Sequence, residues 1–389
     1  MYYELAATSW GEEEIEALKG VIAAGIFTKG EKVAEFERGF AAYHGKRHAV
    51  MTNSGSSANL LAVASLFHRK DNPLKRGDEV IVPAIAWSTT YAPLHQHGLR
   101  FRVVDVELET LNMDVGQLEA ALTPLSKAVV GVSILGNPAS LDAMRAFADR
   151  HGLHFMEDNC ESLGGELKGS KTGTFGDIGT FSFFFSHQIS TMEGGMVLTD
   201  SDELGHLARS MRAHGWTRDL PAKSGLFKKR GSDHFEDYRF ILPGYNVRPT
   251  ELAGAVGVEQ LRKLPAMIDV RRRNWTLFRE LFADDPRFII QRENGRTSSF
   301  CFTIVLASRD RGRRNKVFDA LREADIGFRM ITGGCFVRHD VAALYDYEAV
   351  GDLPNACTAH DYGFFVGNHP RDLGPQIRRL REVLDAACG

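Results

Sequence analysis

Short apolar runs of strand length alternate with helix-spaced apolar positions along most of the chain. HAVMTNSG, DEVIVPAIAW, RFRVVDVE, KAVVGVSILG and HFMEDN are β-branched or apolar stretches, and between them SSANLLAVASLFH and LDAMRAFADRHG carry Leu, Met and Phe at helical spacing. That alternation predicts an α/β protein whose mostly parallel sheet is covered on both faces. Joints such as LGNPAS supply the turns. The regime changes at GYNVRPTELAGAVGVEQLRKLP, a long helical pattern that runs through RRRN toward two further strand candidates, SFCFTIVL and IGFRMIT. Two domains are expected: a large one over 1–264, amphipathic N-terminal segment included, and a smaller C-terminal α+β domain over 265–389, divided near Pro265. No repeat and no low-complexity tract interrupts this plan.

Composition narrows the functional classes. At 389 residues the chain can bury two substantial cores. Its 47 Lys+Arg against 50 Asp+Glu give a net charge of -3 with no basic stripe, which argues against nucleic acid as a partner. The 5 cysteines, odd in number and far apart along the chain, read as free thiols in a reducing compartment, so the cytoplasm is expected. No apolar run reaches the roughly 20 residues a bilayer demands. The opening MYYELAATSWGEEE is acidic where a secretory signal would be basic and then apolar. No membrane association is expected.

Three segments carry candidate chemistry. NSGSSAN (53–59) follows a strand and opens a helix, so Gly55 with the Ser56 and Ser57 hydroxyls forms a phosphate cradle at the positive end of a helix dipole; an N-capped helix after a turn accounts for the same residues. Farther on, GGELKGSKTGTFG almost matches a nucleotide-binding loop, but Gly164, Gly169 and Lys171 are spaced one residue too long, and a hairpin is expected. Asp158 ends the apolar strand HFMED at the carboxyl edge where open sheets place ligands. There it can pair with a protonated heterocycle nitrogen, or serve as a helix cap or ion-pair partner. In GTFSFFFSHQISTMEGGMVLTD, Ser182 and His187 fall in an aromatic strand-like run just before Glu193, Gly194 and Gly195.

In this order the segments resemble the fold type I pyridoxal-phosphate enzymes, in particular the DegT-type sugar aminotransferases, almost end to end. The resemblance implies an aspartate aminotransferase-like large domain with Gly55, Ser56 and Ser182 on the cofactor phosphate. It also implies Trp87 stacked on the ring, Asp158 on the ring nitrogen and Glu161 close by. Asn246 of GYNVRP would reach the phosphate of the neighbouring subunit, which makes a homodimer with shared active sites the expected assembly. His214 and Arg218 of AHGWTR, with Arg248, are candidates for sugar, nucleotide diphosphate or glutamate carboxylate contacts, or for structural ion pairs.

One position departs from that pattern. Six residues before the Glu of EGG, where the aminotransferases carry the lysine that tethers the cofactor as a Schiff base, stands His187, and no lysine lies between Lys171 and Lys223. Imidazole has no primary amine. The cofactor is therefore expected to be held noncovalently, as pyridoxal phosphate or pyridoxamine phosphate. With AWSTTYAPL, LGNP, EDNCES and FFVGNHP, the histidine resembles a sugar 3-dehydratase branch of the family, belonging to colitose biosynthesis. That branch implies C3 dehydration of a GDP-linked 4-keto-6-deoxy sugar, with L-glutamate regenerating the amine and ammonia released. A second histidine-bearing branch, the CDP-hexulose 3-dehydrases, carries an iron–sulfur cluster. The separated cysteines offer no clustered thiolates for one, and no metal is expected. A nucleotide-sugar 4-aminotransferase and a non-enzymatic pyridoxal-binding regulator are the alternatives.

Overall fold

The computed structural model describes residues 2–228, 230 and 234–389. Strands form where the β-branched runs lie: β1 (His48–Thr52), β2 (Glu79–Pro83), β3 (Arg100–Val104), β4 (Ser126–Val132) and β5 (His154–Asp158). A short hairpin follows, β6 (Glu166–Leu167) and β7 (Ser170–Lys171), then β8 (Ile178–Ser182) and β9 (Gly195–Thr199). The later chain adds β10 (Phe288–Ile290), β11 (Cys301–Leu306), β12 (Phe328–Met330), β13 (Tyr347–Ala349) and β14 (Gly363–Gly367). The hairpin lies at the stretch that nearly matches a nucleotide loop, and its two turn residues, Lys168 and Gly169, have φ of 51° and 80°.

Eight strands form one sheet in the order β1-β9-β8-β5-β4-β2-β3-β13. Only β9 runs against its neighbours; every other pairing is parallel. Val80 and Val82 enter one apolar cluster while Ile81 enters another on the opposite face, and Val50 is divided in the same way from Ala49 and Met51. With both faces covered, these strands read as continuous apolar runs rather than alternating ones. The carboxyl ends of β1, β2, β4, β5 and β8 share one edge of the sheet, which delivers Asn53, Trp87, Leu135, Asp158 and Ser182 to neighbouring loops.

The second sheet, β10-β11-β14-β12, is wholly antiparallel. Its core takes Trp275, Phe278 and Phe282 from the 32-residue helix Glu251–Phe282, with Phe278 stacked on Phe302 at 4.7 Å. Each such side chain contributes about 1.5–3 kcal/mol of burial. The helix begins at Thr250, whose side chain accepts from the Ala253 N–H, and it runs on through Pro265. The expected boundary at Pro265 thus lies inside one helix shared by both sheets. Two further threads tie the halves together: β13 joins the large sheet beside β3, and Tyr3 inserts into the core of the small one.

Among the described residues, no helix is long and apolar enough to cross a membrane. The expectation of well-separated cysteines needs one correction. Cys335 and Cys357 bring their sulfurs to 3.9 Å, because the helix Pro354–Tyr362 packs over the turn that carries Cys335. Separation along the chain is not separation in space.

Candidate active site

The turn after β1 is shaped by a glycine with no room for a side chain. A Cβ on Gly55 would lie 2.5 Å from the Ser182 Cβ and 3.1 Å from the Cys160 sulfur, so the opening of helix Gly55–His68 rests directly on the end of β8. Ser54 is the cap: its Oγ accepts from the Ser57 N–H at 3.1 Å. Ser56 is left exposed, with its hydroxyl donating to Thr89 Oγ1 at 2.9 Å. Gly55, Ser56 and Ser182 therefore share one corner at a helix N-terminus, where backbone N–H groups favour an anion.

Asp158 is 5% exposed. Its Oδ2 accepts from Asn59 Nδ2 at 2.8 Å and from the Thr90 hydroxyl at 2.8 Å, and its Oδ1 accepts from the Cys160 N–H at 3.1 Å. Thr180 donates to Asn59 Oδ1, which fixes the amide so that its nitrogen faces Asp158. Among the described residues no Lys, Arg or His makes an ion pair with this carboxylate. Burying a charge without an opposite charge costs several kcal/mol, of order 3–5 where a buried pair is broken, and here three hydrogen-bond donors rather than a cation offset it. Asn59 and Thr90 were not singled out in the sequence; Asn59 sits one helical turn beyond Ser56 and Thr90 three residues after Trp87, which is the signal that could have found them.

Glu161 lies one turn farther along. Its carboxylate accepts from the Leu135 N–H at 2.8 Å and from the Thr332 hydroxyl at 2.9 Å. Burial pushes this carboxyl up to about 7, the negative charge of Asp158 adding to the effect and the two donors opposing it. The turn holding Thr332 leads to a bridge between Ile85 and Cys335, two residues from Trp87. Trp87 itself begins the helix Ser88–Gln96 and is 58% exposed, a flat aromatic face at the mouth of the sheet edge.

His187 does not lie on a strand, which corrects the reading of an unbroken aromatic run. Pairing of β8 with β9 ends at Ser182, and the Phe183 N–H bonds to the Gly194 carbonyl while its own carbonyl accepts from Thr191. These two bonds close residues 184–190 into a loop. The imidazole meets the Phe300 ring edge to face at 5.2 Å and the Phe184 ring at 6.0 Å. Nδ1 has only a long contact of 3.5 Å to the Ser186 hydroxyl, and among the described residues nothing bonds Nε2. Burial pushes the imidazole down to about 3, and the Arg271 guanidinium pushes the same way. The neighbouring Gln188 ties the loop down, donating to the Glu161 carbonyl at 2.5 Å and to Ser298 Oγ at 3.0 Å.

The remaining candidates gather elsewhere. A cavity of about 300 Å³ is lined by Lys29, Trp216, Arg218, Asp219 and Arg248, and a smaller one of about 150 Å³ links Arg248 to Asn53 and Glu193. Arg218 lies over the Trp216 ring at 5.9 Å, and His214 meets that ring at 5.2 Å with a φ of 64°. Asn246 is exposed, its Oδ1 accepting from Arg248 Nε at 3.0 Å, while the next residue's carbonyl accepts from the Asn53 N–H. Within one chain, Arg248 thus adjoins the Asn53 turn through the smaller cavity, while His187, Asp158 and Trp87 line neither cavity.

Comparison with known proteins agrees with this geometry. The model of the DegT/DnrJ/EryC1/StrS aminotransferase family matches residues 8–379. A GDP-4-keto-6-deoxy-D-mannose 3-dehydratase of Yersinia pseudotuberculosis is 46% identical over 384 residues, 98% of each chain. The structure of the Escherichia coli GDP-4-keto-6-deoxy-D-mannose-3-dehydratase with bound hydrated pyridoxal phosphate superposes with a TM-score of 0.96 at 44% identity, covering 99% of each chain. A structure of such a dehydratase with a trapped geminal diamine of pyridoxal phosphate and glutamate gives 0.95 at 44%, covering 98% of this chain and 100% of that one.

Proposed function

The chain belongs to the DegT/DnrJ/EryC1/StrS aminotransferase family, and from that premise we propose that it removes the C3 hydroxyl of GDP-4-keto-6-deoxy-D-mannose. It is a lyase of the aminotransferase fold that uses pyridoxamine phosphate, and L-glutamate restores the coenzyme. The observation that carries the reading is His187, an imidazole with a free nitrogen where an aminotransferase needs a primary amine.

The residues present fit the coenzyme. Asp158 is a buried carboxylate lacking a cation, suited to a protonated pyridine nitrogen, and the Gly55–Ser182 corner is a cradle that a Cβ would fill. Gly55, Ser56 and Ser182 hold the phosphate, Trp87 offers a stacking face, and Glu161 braces the loops around Leu135 and Thr332. When bound, pyridoxamine phosphate supplies an amine for the C4 ketone and a ring that accepts electrons. Asp158 keeps the proton on the ring nitrogen. His187 Nε2 takes a proton from the coenzyme's methylene carbon and, as imidazolium, hands it to the departing C3 hydroxyl. Lacking a primary amine, His187 cannot displace the product by imine exchange, so loss of water prevails over amino transfer.

His214, Arg218 and Arg248 are the proposed contacts for the diphosphate and for the glutamate carboxylate. The proposed assembly is a homodimer in which the exposed Asn246 and these cations serve the partner's site. Phe184, Phe185 and Met192, all near His187, are 46%, 44% and 44% exposed, an apolar rim suited to cover by a second subunit. Five free thiols suit a cytoplasmic enzyme.

The test is to incubate the protein with pyridoxal phosphate, glutamate and GDP-4-keto-6-deoxymannose. The expected product is lighter by one oxygen atom, with one ammonia and one 2-oxoglutarate formed per turnover. An amino sugar that keeps its C3 oxygen would overturn the proposal. For the assembly, light scattering is expected to give a dimer, and a fully active monomer would refute the shared site.

A further inference from the structure

Arg271 is a buried cation with no counter-charge. It is 2% exposed, and among the described residues no carboxylate lies within ion-pair distance of it. Its partners are three main-chain carbonyls: Nη1 donates to Phe300 at 3.3 Å and to Asn368, and Nη2 donates to His187 at 3.4 Å, while Nε has no partner. Phe300 precedes β11 and Asn368 follows β14, two strands that pair with each other. The guanidinium therefore joins the edge of the small sheet to the loop that carries His187. Burial lowers its basicity to about 10, which still leaves it charged at neutral pH.

We propose that Arg271 is a positioning residue for the dehydration: from the helix Glu251–Phe282 it grips the carbonyls of His187 and Phe300, the two residues whose rings meet edge to face, and so fixes where the imidazole presents Nε2. This rests on His187 being the proton-transfer group. A neutral donor such as an amide could tie two carbonyls together without the several kcal/mol that an uncompensated charge costs. What the guanidinium adds is a fixed positive charge near the imidazole, which opposes the imidazolium and so holds the resting ring neutral. The other titratable groups around this junction do not cancel that charge. Burial pushes His369, after β14, down to about 4 and the Cys301 thiol of β11 well up, so both are neutral at pH 7. Glu161, beyond Gln188, is pushed up to about 7 by burial, so it carries only part of a negative charge at pH 7 and offsets the guanidinium only in part.

The test compares Arg271→Met and Arg271→Lys with the parent as loaded enzymes. It reads kcat and KM for the sugar nucleotide, the dissociation constant of pyridoxal phosphate by absorbance titration, and the acid limb of the kcat profile. Misplacing a reacting group by an ångström costs about 100-fold in rate, so Arg271→Met is expected to lower kcat by about that factor, with KM and coenzyme affinity held within about 3-fold. Its acid limb is expected at higher pH than the parent's, and Arg271→Lys is expected to recover about 10-fold of the loss by keeping the charge. Unchanged kcat and an unchanged acid limb would overturn the proposal. So would a loss in which kcat, KM and coenzyme affinity decline together with the folded fraction measured by circular dichroism. Should the methionine variant fail to fold, the lysine variant decides by the same split between kcat and KM. Full loss of dehydration in His187→Asn alongside normal Arg271 variants would reject the positioning role alone, leaving the function intact.

Discussion

His187→Lys is expected to abolish dehydration and to bind the coenzyme covalently. A lysine at 187 would bring its amine into the pocket that Phe184 and Phe300 line, where burial and the nearby Arg271 cation both favour the neutral, nucleophilic form. Borohydride should then fix the coenzyme to the polypeptide, which it should not do in the parent. General acid–base catalysis by a placed side chain contributes about 10²–10⁴-fold, so dehydration should fall by about 10³-fold, equivalent to about 4 kcal/mol of barrier. Any residual turnover should yield a 4-amino sugar that keeps its C3 oxygen. The control is His187→Asn, which removes the base without adding an amine and should lose the rate with no borohydride-stable link. An unchanged rate in the lysine variant, or borohydride trapping in the parent, would defeat the assignment of His187.

The sequence singled out His187 because the resembling aminotransferases carry a lysine six residues before the Glu of EGG, and Asp158 because it ends an apolar run. Both signals survive without any knowledge of tertiary contacts. What stayed hidden comes from far along the chain. Thr332 reaches Glu161 across 171 residues, and Arg271 reaches the His187 carbonyl across 84. No window-based pattern joins such positions. The loop at 184–190 was hidden for another reason: Phe183, Phe184 and Phe185 have strong strand propensity, but the two bonds of Phe183 with Gly194 and Thr191 end the ladder and turn two of those rings outward. Pro265 shows packing overriding a local signal in the opposite sense. It usually ends a helix, yet here the helix continues through it, since packing against both sheets outweighs one lost N–H donor.

Asp158→Asn should separate activity from stability. Three donors converge on the two carboxylate oxygens, from Asn59, Thr90 and Cys160. Asparagine offers one oxygen and an NH₂ group, so at least one donor would face another donor, a loss of about 1–2 kcal/mol. Against that, the substitution removes a buried anion without a cation, which by itself relieves a comparable or larger cost. The coenzyme-free variant should therefore melt within a few degrees of the parent. Activity should not be spared. Without the carboxylate nothing holds the proton on the ring nitrogen, and the ring loses its capacity to accept electrons when His187 takes the methylene proton, so a fall of about 10³-fold is expected. Coenzyme affinity should weaken by about 10–100-fold with the loss of one hydrogen bond to a charged group, worth about 1.5–3 kcal/mol. Differential scanning calorimetry of the empty protein, with turnover measured at saturating coenzyme, makes the comparison. A variant that keeps a tenth of the parent rate would show that Asp158 does not govern the ring, whereas one that collapses without coenzyme would show that its three hydrogen bonds serve the fold first.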